Sequence, residues 1–504
     1  MLLHAAVARA ATIKTCDALC PNPGACTIGE TKLIEPDAVL DCRDRDIVVG
    51  NYGTIKVVGE FTLRARTLTL NGPSGAILAV EDDDGDPGAM TIEVVKDDAV
   101  AGSGNFNIYG KVRANGAHDG GDIVVHADGD ITIHQSGDDG AEADGTGVGA
   151  SGGSILLDAG GAILIEDPVH AAGNTSGDNS GGTLDIHAVG DITARLDGHI
   201  AAPGKFRGGG SVSIASDTGD VILQEHVDVD GRGNDGDGGS IEIEAGDSLQ
   251  IMEAITARGG VGAAGGEASG GSVSLRSGCG GITVASSITV SGGDDTSGPD
   301  GGNGGSITAF ALGNLTIAST GSLVTRALSG GGPGGGVSLR SASKVLVAGG
   351  AMLDVRGDTS SGGQGPAGRV ALSGCEVEVA ASATIDATGH SGGKIALHAG
   401  KAPPAQGAQP LLVNKLAAIH AAGGAGTPGR IAVAPLTTKS GTCANIPPRS
   451  CQWNTDCVEG CLTYECQNAN PDVQGVSTQF DVAPEIYDEN TLGSCEHPAC
   501  GGGQ

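Results

Sequence analysis

The sequence predicts an all-β solenoid, one chain wound into stacked rungs of three short strands each, with a small Cys-rich module at its C-terminal end. Three observations carry that expectation. The first is composition: of 504 residues, 91 are Gly and only ten are Phe, Tyr or Trp. Gly weakens helix interiors and ordinary domains pack aromatic cores, so a helical globular enzyme is excluded. Gly without an every-third-residue period excludes collagen, and 39% hydrophobic residues is too many for a disordered chain.

The second observation is a repeat. The phrase GGSI recurs with variants (GGDI, GGTL, GGSV, GGGV, AGRV, GGKI, PGRI), and its aliphatic residue falls at Ile123, Ile155, Leu184, Val212, Ile241, Val273, Ile307, Val337, Val370, Ile395 and Ile431. The mean spacing is about 31 residues, the size of one supersecondary unit that buries its apolar face only by stacking on its neighbours. The third observation is alternation within each repeat. In the unit from Gly238 the apolar residues come as three pairs, Ile241 with Ile243, Leu249 with Ile251, and Ile255 with Ala257. Strict alternation places one set of side chains inward on a strand. Nine consecutive units keep the third pair in register, from Val169 and Ala171 to Ile419 and Ala421.

A glycine follows the third pair by two residues, at Gly173, Gly204, Gly231, Gly259, Gly292, Gly357, Gly389 and Gly423. A turn there is expected to need positive φ. The loop after it varies in length, as in GGDDTSGPDGGNGG from Gly292, so insertions gather on one edge.

This three-part repeat with inward Ile, Val, Leu and Ala ladders resembles the single-stranded right-handed parallel β-helix, the coil of pectin-lyase-like enzymes and of large bacterial adhesins of the filamentous-haemagglutinin type. The resemblance covers roughly residues 34 to 440. It implies the architecture and leaves the activity open, because that fold hosts unrelated functions. Residues 1–11 read as the remnant of a secretion signal, 12–46 as a Cys-rich N-terminal cap, 47–441 as the β-helix, and 442–504 as a Cys-rich acidic C-terminal module.

Thirteen cysteines cluster at the two ends. That pattern points to disulfides and a secreted or cell-surface location. The expected bridge-forming residues are Cys16, Cys20, Cys26 and Cys42 at one end, and Cys451, Cys457, Cys461, Cys466, Cys495 and Cys500 at the other, with Cys443 as the odd one. Spacing in CQWNTDCVEGCLTYEC is too irregular for a structural zinc site. Cys279 and Cys375 are three rungs apart, roughly 14 Å at ~4.8 Å per rung, beyond the ~7 Å that a disulfide spans between Cα atoms.

The net charge of -32 argues against nucleic acid or an anionic membrane as partner, and no apolar run reaches the length of a membrane span. With an aliphatic interior, chemistry must come from outward positions. The outward column of the first strand runs His126, Asp158, His187, Ala215, Glu244, Arg276, Phe310, Arg340, Ser373 and His398. It sets a His, carboxylate, His ladder beside an expected Glu244 to Arg276 ion pair. Polygalacturonase-like members of the resembling fold carry NTD and GHG motifs on stacked rungs. Here NTD occurs at Asn454 to Asp456 in the tail, and Gly389 to Ser391 reads GHS.

No catalytic or cofactor-binding residue is therefore assigned, and the metal question stays open. Loop-bound calcium is the one cofactor suggested, by Asp82, Asp84, Asp86 and Glu93 and by the acidic loops from Asp228 and Gly293. Pro87, however, stands where an EF-hand loop needs Gly. The expectation is a non-enzymatic structural or adhesive solenoid that presents Gly/Asp-rich loops to glycans or to another surface protein. The alternative is a polysaccharide-acting lyase or glycosidase with an unrecognised catalytic set.

Overall fold

The computed structural model describes residues 12–72, 74–80, 87–135, 140–174, 176–233, 235–260, 268–293, 301–328, 332–358, 365–399, 411–414, 416–423, 429–435 and 485–486. The chain divides into two compact units, Met1–Ala202 and Pro203–Gln504. Each is a parallel β-solenoid with three strands per rung. One helix of four residues, Cys16–Leu19, is found among the described residues.

The first unit begins with a stapled start. Thr15 caps the helix through its hydroxyl, which accepts from Ala18 N–H at 3.3 Å. Disulfides join Cys16 to Cys42 and Cys20 to Cys26. Parallel pairing is already present here: Cys26–Ile28 lies against Ile47 to Val49, and Thr31–Ile34 against Thr54 to Val57. Strands Ala38–Val49 and Phe61–Leu70 each run through a corner, and their pairing shifts register between Cys42 and Asp46. In later rungs that corner separates two strands, as in Ser154–Ala159 and Ile163–Ile165, and the third strand follows at Val169–His170.

In the second unit the aliphatic column of the repeat is continuous. Val212, Ile241, Val273, Ile307, Val337, Val370, Ile395 and Ile431 pair in that order on successive first strands, each no more than 2% exposed. Ile123, Ile155 and Leu184 do the same in the first unit. The alternation read from sequence is thus the burial pattern: Ser240–Ala245 alternates exposed and buried positions until its end. Corner serines at the end of first strands are buried without loss, since Ser277 donates its hydroxyl to Asp247 C=O at 2.6 Å and Ser341 to Gly313 C=O at 2.7 Å.

The glycine expectation needs correction. None of the eight glycines after the third strand has positive φ. At Gly173, Gly231, Gly259, Gly292 and Gly357 the chain returning from the loop passes too close for a side chain: a Cβ at Gly231 would overlap Gly236 C=O, and one at Gly292 would overlap Gly302 C=O. The GG phrase works in the same way. Gly271 N–H bonds Ala257 C=O at 2.8 Å and closes the neck of its loop, while Gly271 C=O accepts Ser306 N–H from the next rung at 3.0 Å. Gly239, Gly305, Gly335 and Gly368 repeat both bonds. The backbones stack so closely that a Cβ on Gly271 would overlap Gly239 C=O, and one on Gly305 would overlap Gly271 C=O.

Cys279 and Cys375 carry no disulfide. Of the C-terminal module, Glu485–Ile486 is described and pairs in parallel with Ala432 and Val433. Its cysteines lie outside the described residues.

Two substitution pairs test this packing by thermal unfolding. Ile243→Asp puts a carboxylate into a fully buried aliphatic stack and is expected to cost several kcal/mol, whereas exposed Glu242→Ala stays within about half a kcal/mol. Gly271→Ala is expected to cost about 2 kcal/mol or more, because backbone must move. Gly336→Ala, whose added methyl meets nothing within 4 Å, is expected to stabilise by about half a kcal/mol.

Candidate functional site

Parallel pairing in register stacks equivalent outward side chains one rung apart, close enough for charged groups on adjacent rungs to touch. In the first unit the resulting column reads Asp41, Arg64, Glu93, His126, Asp158, His187. Acid and base alternate along it. Arg64 holds Glu93 with Nε to Oε2 at 2.7 Å, and Arg43 closes the lower end on Asp41 at 2.7 Å.

The His126, Asp158, His187 ladder expected from sequence is formed. Asp158 Oδ2 accepts from His126 Nδ1 at 3.0 Å, and Oδ1 accepts from His187 Nδ1 at 2.7 Å. An ionised carboxylate only accepts, so both rings carry a proton on Nδ1. Partial burial pushes the Asp158 carboxyl up, but the hydrogen bonds from His187 and His126 outweigh it and hold the group below its ordinary value. Sequence reasoning missed the lower half of the column. Glu93, expected as a loop ligand for calcium, instead sits on a strand with its carboxylate on Arg64. Asp82, Asp84 and Asp86 lie outside the described residues.

Other polar ladders run along the remaining strands. Glu142, 2% exposed, is held by Arg113 and by Asn115 Nδ2 at 2.8 Å. Asp144 accepts from His170 Nδ1 at 2.9 Å and from Ala172 N–H at 2.7 Å. Glu166 accepts from Arg195 at 2.8 Å, and His134 beside it stacks on Tyr109 with ring centroids 3.9 Å apart. In the second unit Arg276 meets Glu244 at 3.4 Å, the expected pair. Two carboxylates of the acidic loop from Asp228 are paired: Arg232 with Asp228, and Arg258 of the next rung with Asp230, Nη2 at 2.6 Å. Asp354, 1% exposed, takes Arg356 in a two-point bond at 2.9 and 2.7 Å.

Among the described residues, one group of His, Cys, Asp or Glu brings three ligand atoms within metal-holding distance, Cys16 with Cys20 and Cys42, and these sulfurs are bridged.

The outer sheet face of the second unit holds a trough of about 450 Å³. Its floor is made of small outward residues on successive rungs, Ser338, Ala371 and Ala396. Arg340 and His398 belong to the outward column expected from sequence, and they line one side. Arg369 lines the other and stacks on Lys394, which stacks on Arg430. This second line escaped the sequence reading, although each member directly precedes the aliphatic residue in AGRV, GGKI and PGRI. Arg340, Arg369 and Lys394 are exposed, and none meets a carboxylate among the described residues.

The fold thus defines a parallel β-solenoid in which many outward charges are paired from rung to rung, and in which Arg340 and Arg369 line a trough on the second unit. No protein-family model matches the chain, and no match is found among the curated proteins or the solved structures.

The Asp158 node makes a pH-dependent contribution. A carboxyl whose folded pKa is depressed adds stability above its unfolded value, about 3.9, and loses it as pH falls through the folded value. Melting temperatures of wild type and Asp158→Asn should differ above about pH 4 and converge below it, within the acid-stable range of the fold.

Proposed function

We propose that the chain is a secreted or cell-surface structural and adhesive solenoid, which presents Gly/Asp-rich loops along one edge and meets its ligand on an outer sheet face. The observation that carries this reading is the contrast between paired and unpaired charge. Arg232, Arg258, Arg276, Arg326, Lys344 and Arg356 each lie against a carboxylate, whereas Arg340 and Arg369, which line the trough, meet none among the described residues. Unpaired cations of this kind attract anionic ligands from solution. Two disulfides at the N-terminal start favour an oxidising compartment. No described helix is long and apolar enough to cross a membrane.

The full chain, applied to a glycan array and separately incubated with the polysaccharides it retains, is expected to bind without shortening them. Released oligosaccharides would replace this reading with the polysaccharide-acting enzyme.

A further inference from the structure

We propose that residues 487–504 of this chain fold back over the trough of the second unit and supply the carboxylates its cations lack, so that the molecule masks its own basic surface. The proposal goes beyond the adhesive reading above and does not depend on it.

The first observation is the cations. Arg340 and Arg369 line the trough, and Lys394 stacks on Arg369. They lie on three consecutive first strands, Gly336–Ser341, Arg369–Gly374 and Lys394–Ala399. All three are exposed, and none meets a carboxylate among the described residues. On the strand after Arg340, by contrast, Lys344 is held by Glu378 at 2.5 Å. The chain has 60 acidic residues against 28 Lys and Arg, so three neighbouring cations without a carboxylate mark a surface that an acidic partner completes.

The second observation is register. Glu485–Ile486 pairs in parallel with Ala432 and Val433. Ala432 pairs with Ala396, Ala396 with Ala371, and Ala371 with Ser338. Glu485 thus occupies the column that floors the trough, two rungs beyond Ala396. The segment after Ile486 therefore starts on the same sheet, in line with the trough.

The third observation is length and composition. From the rung of Ile486 to that of Arg340 is four steps, roughly 19 Å at ~4.8 Å per step. The 18 residues from Tyr487 reach as far as ~59 Å when extended, so they span the trough with slack. Asp488 and Glu489 come two and three residues after Ile486, Glu496 follows, and the segment contains no Lys or Arg. Three carboxylates are thus tethered within reach of three cations. A short tether supplies an effective concentration on the order of millimolar, so a contact too weak to join separate molecules forms within one chain. An anion from solution then binds the trough only by displacing the segment.

The test begins with carbodiimide coupling of the full chain, which joins a lysine amine to a touching carboxylate as an amide while the carbodiimide takes up the water as a urea. Joined peptides are identified by mass spectrometry in a mixture of isotopically light and heavy chains. Lys344 and Glu378 provide the internal standard. Lys394 is expected to join Asp488, Glu489 or Glu496 of its own chain, and to do so severalfold less in 1 M NaCl, where the screening length falls to ~3 Å. Titration with inorganic tripolyphosphate gives a second readout. Asp488→Asn with Glu489→Gln and Glu496→Gln should tighten its binding by on the order of tenfold, because the competitor is removed. Removing as many exposed charges from the first unit, by Glu30→Gln with Asp44→Asn and Asp98→Asn, should change it little. The assignment fails if Lys394 joins no residue of 487–504 while the standard forms, or if the neutral segment leaves tripolyphosphate affinity at the wild-type value. Links found only between light and heavy chains also overturn it, and make a second copy the occupant. None of these outcomes bears on the adhesive reading, which the glycan array decides by itself.

Discussion

The shared glycine carbonyl at the neck of each loop is the constraint on which the rest of the solenoid depends. At Gly271 a single residue closes its own rung through N–H and supports the next through C=O. Both bonds bring backbones closer than a Cβ allows at Gly239, Gly271, Gly305, Gly335 and Gly368, and the phrase carries Gly just before each first strand from Ile123 to Ile431. Once the neck is fixed, the following strand starts at a set position, and a two-residue alternation carries Ile, Val and Leu inward without further instruction. Loop length then has no effect on register. That is why repeats of unequal length still align Val337 on Ile307 and Val370 on Val337.

Local periodicity made the interior legible. The aliphatic columns, the third-strand register and the Glu244 to Arg276 pair all follow from counting by two within a strand and by one repeat between strands. The role of the glycines after the third strand did not follow. Their identity suggested a left-handed turn, whereas the cause is close approach of a returning chain, a tertiary fact with no local signature. The lower part of the charge column was hidden for a related reason. Asp41 and Arg64 sit on long strands that run through a corner with a register shift, so their spacing does not match that of the later repeats.

The candidate site was half visible. Arg340, Ser373 and His398 fell in the outward column, but the parallel line through Arg369 and Lys394 stands at the first strand position, where many other repeats carry Ser and no pattern drew attention. Buried carboxylates were harder still. Alternation marks Glu142 and Asp354 as polar, and only the folded chain shows that each is enclosed and matched by an arginine. A buried carboxylate so matched contributes little net stability but is costly to leave alone, so it selects one arrangement of neighbours over others.

The alternating column of the first unit has an arithmetic consequence. Asp41, Arg64, Glu93, His126, Asp158 and His187 change character at every step. Removing one rung from the middle would set carboxylate against carboxylate or base against base, while removing two adjacent rungs would restore the sequence of opposites. Repeats in this stretch are thus interchangeable by parity rather than singly. A lineage that trims or duplicates the coil here meets less electrostatic resistance in even steps than in odd ones, although the aliphatic columns would stack equally well in either.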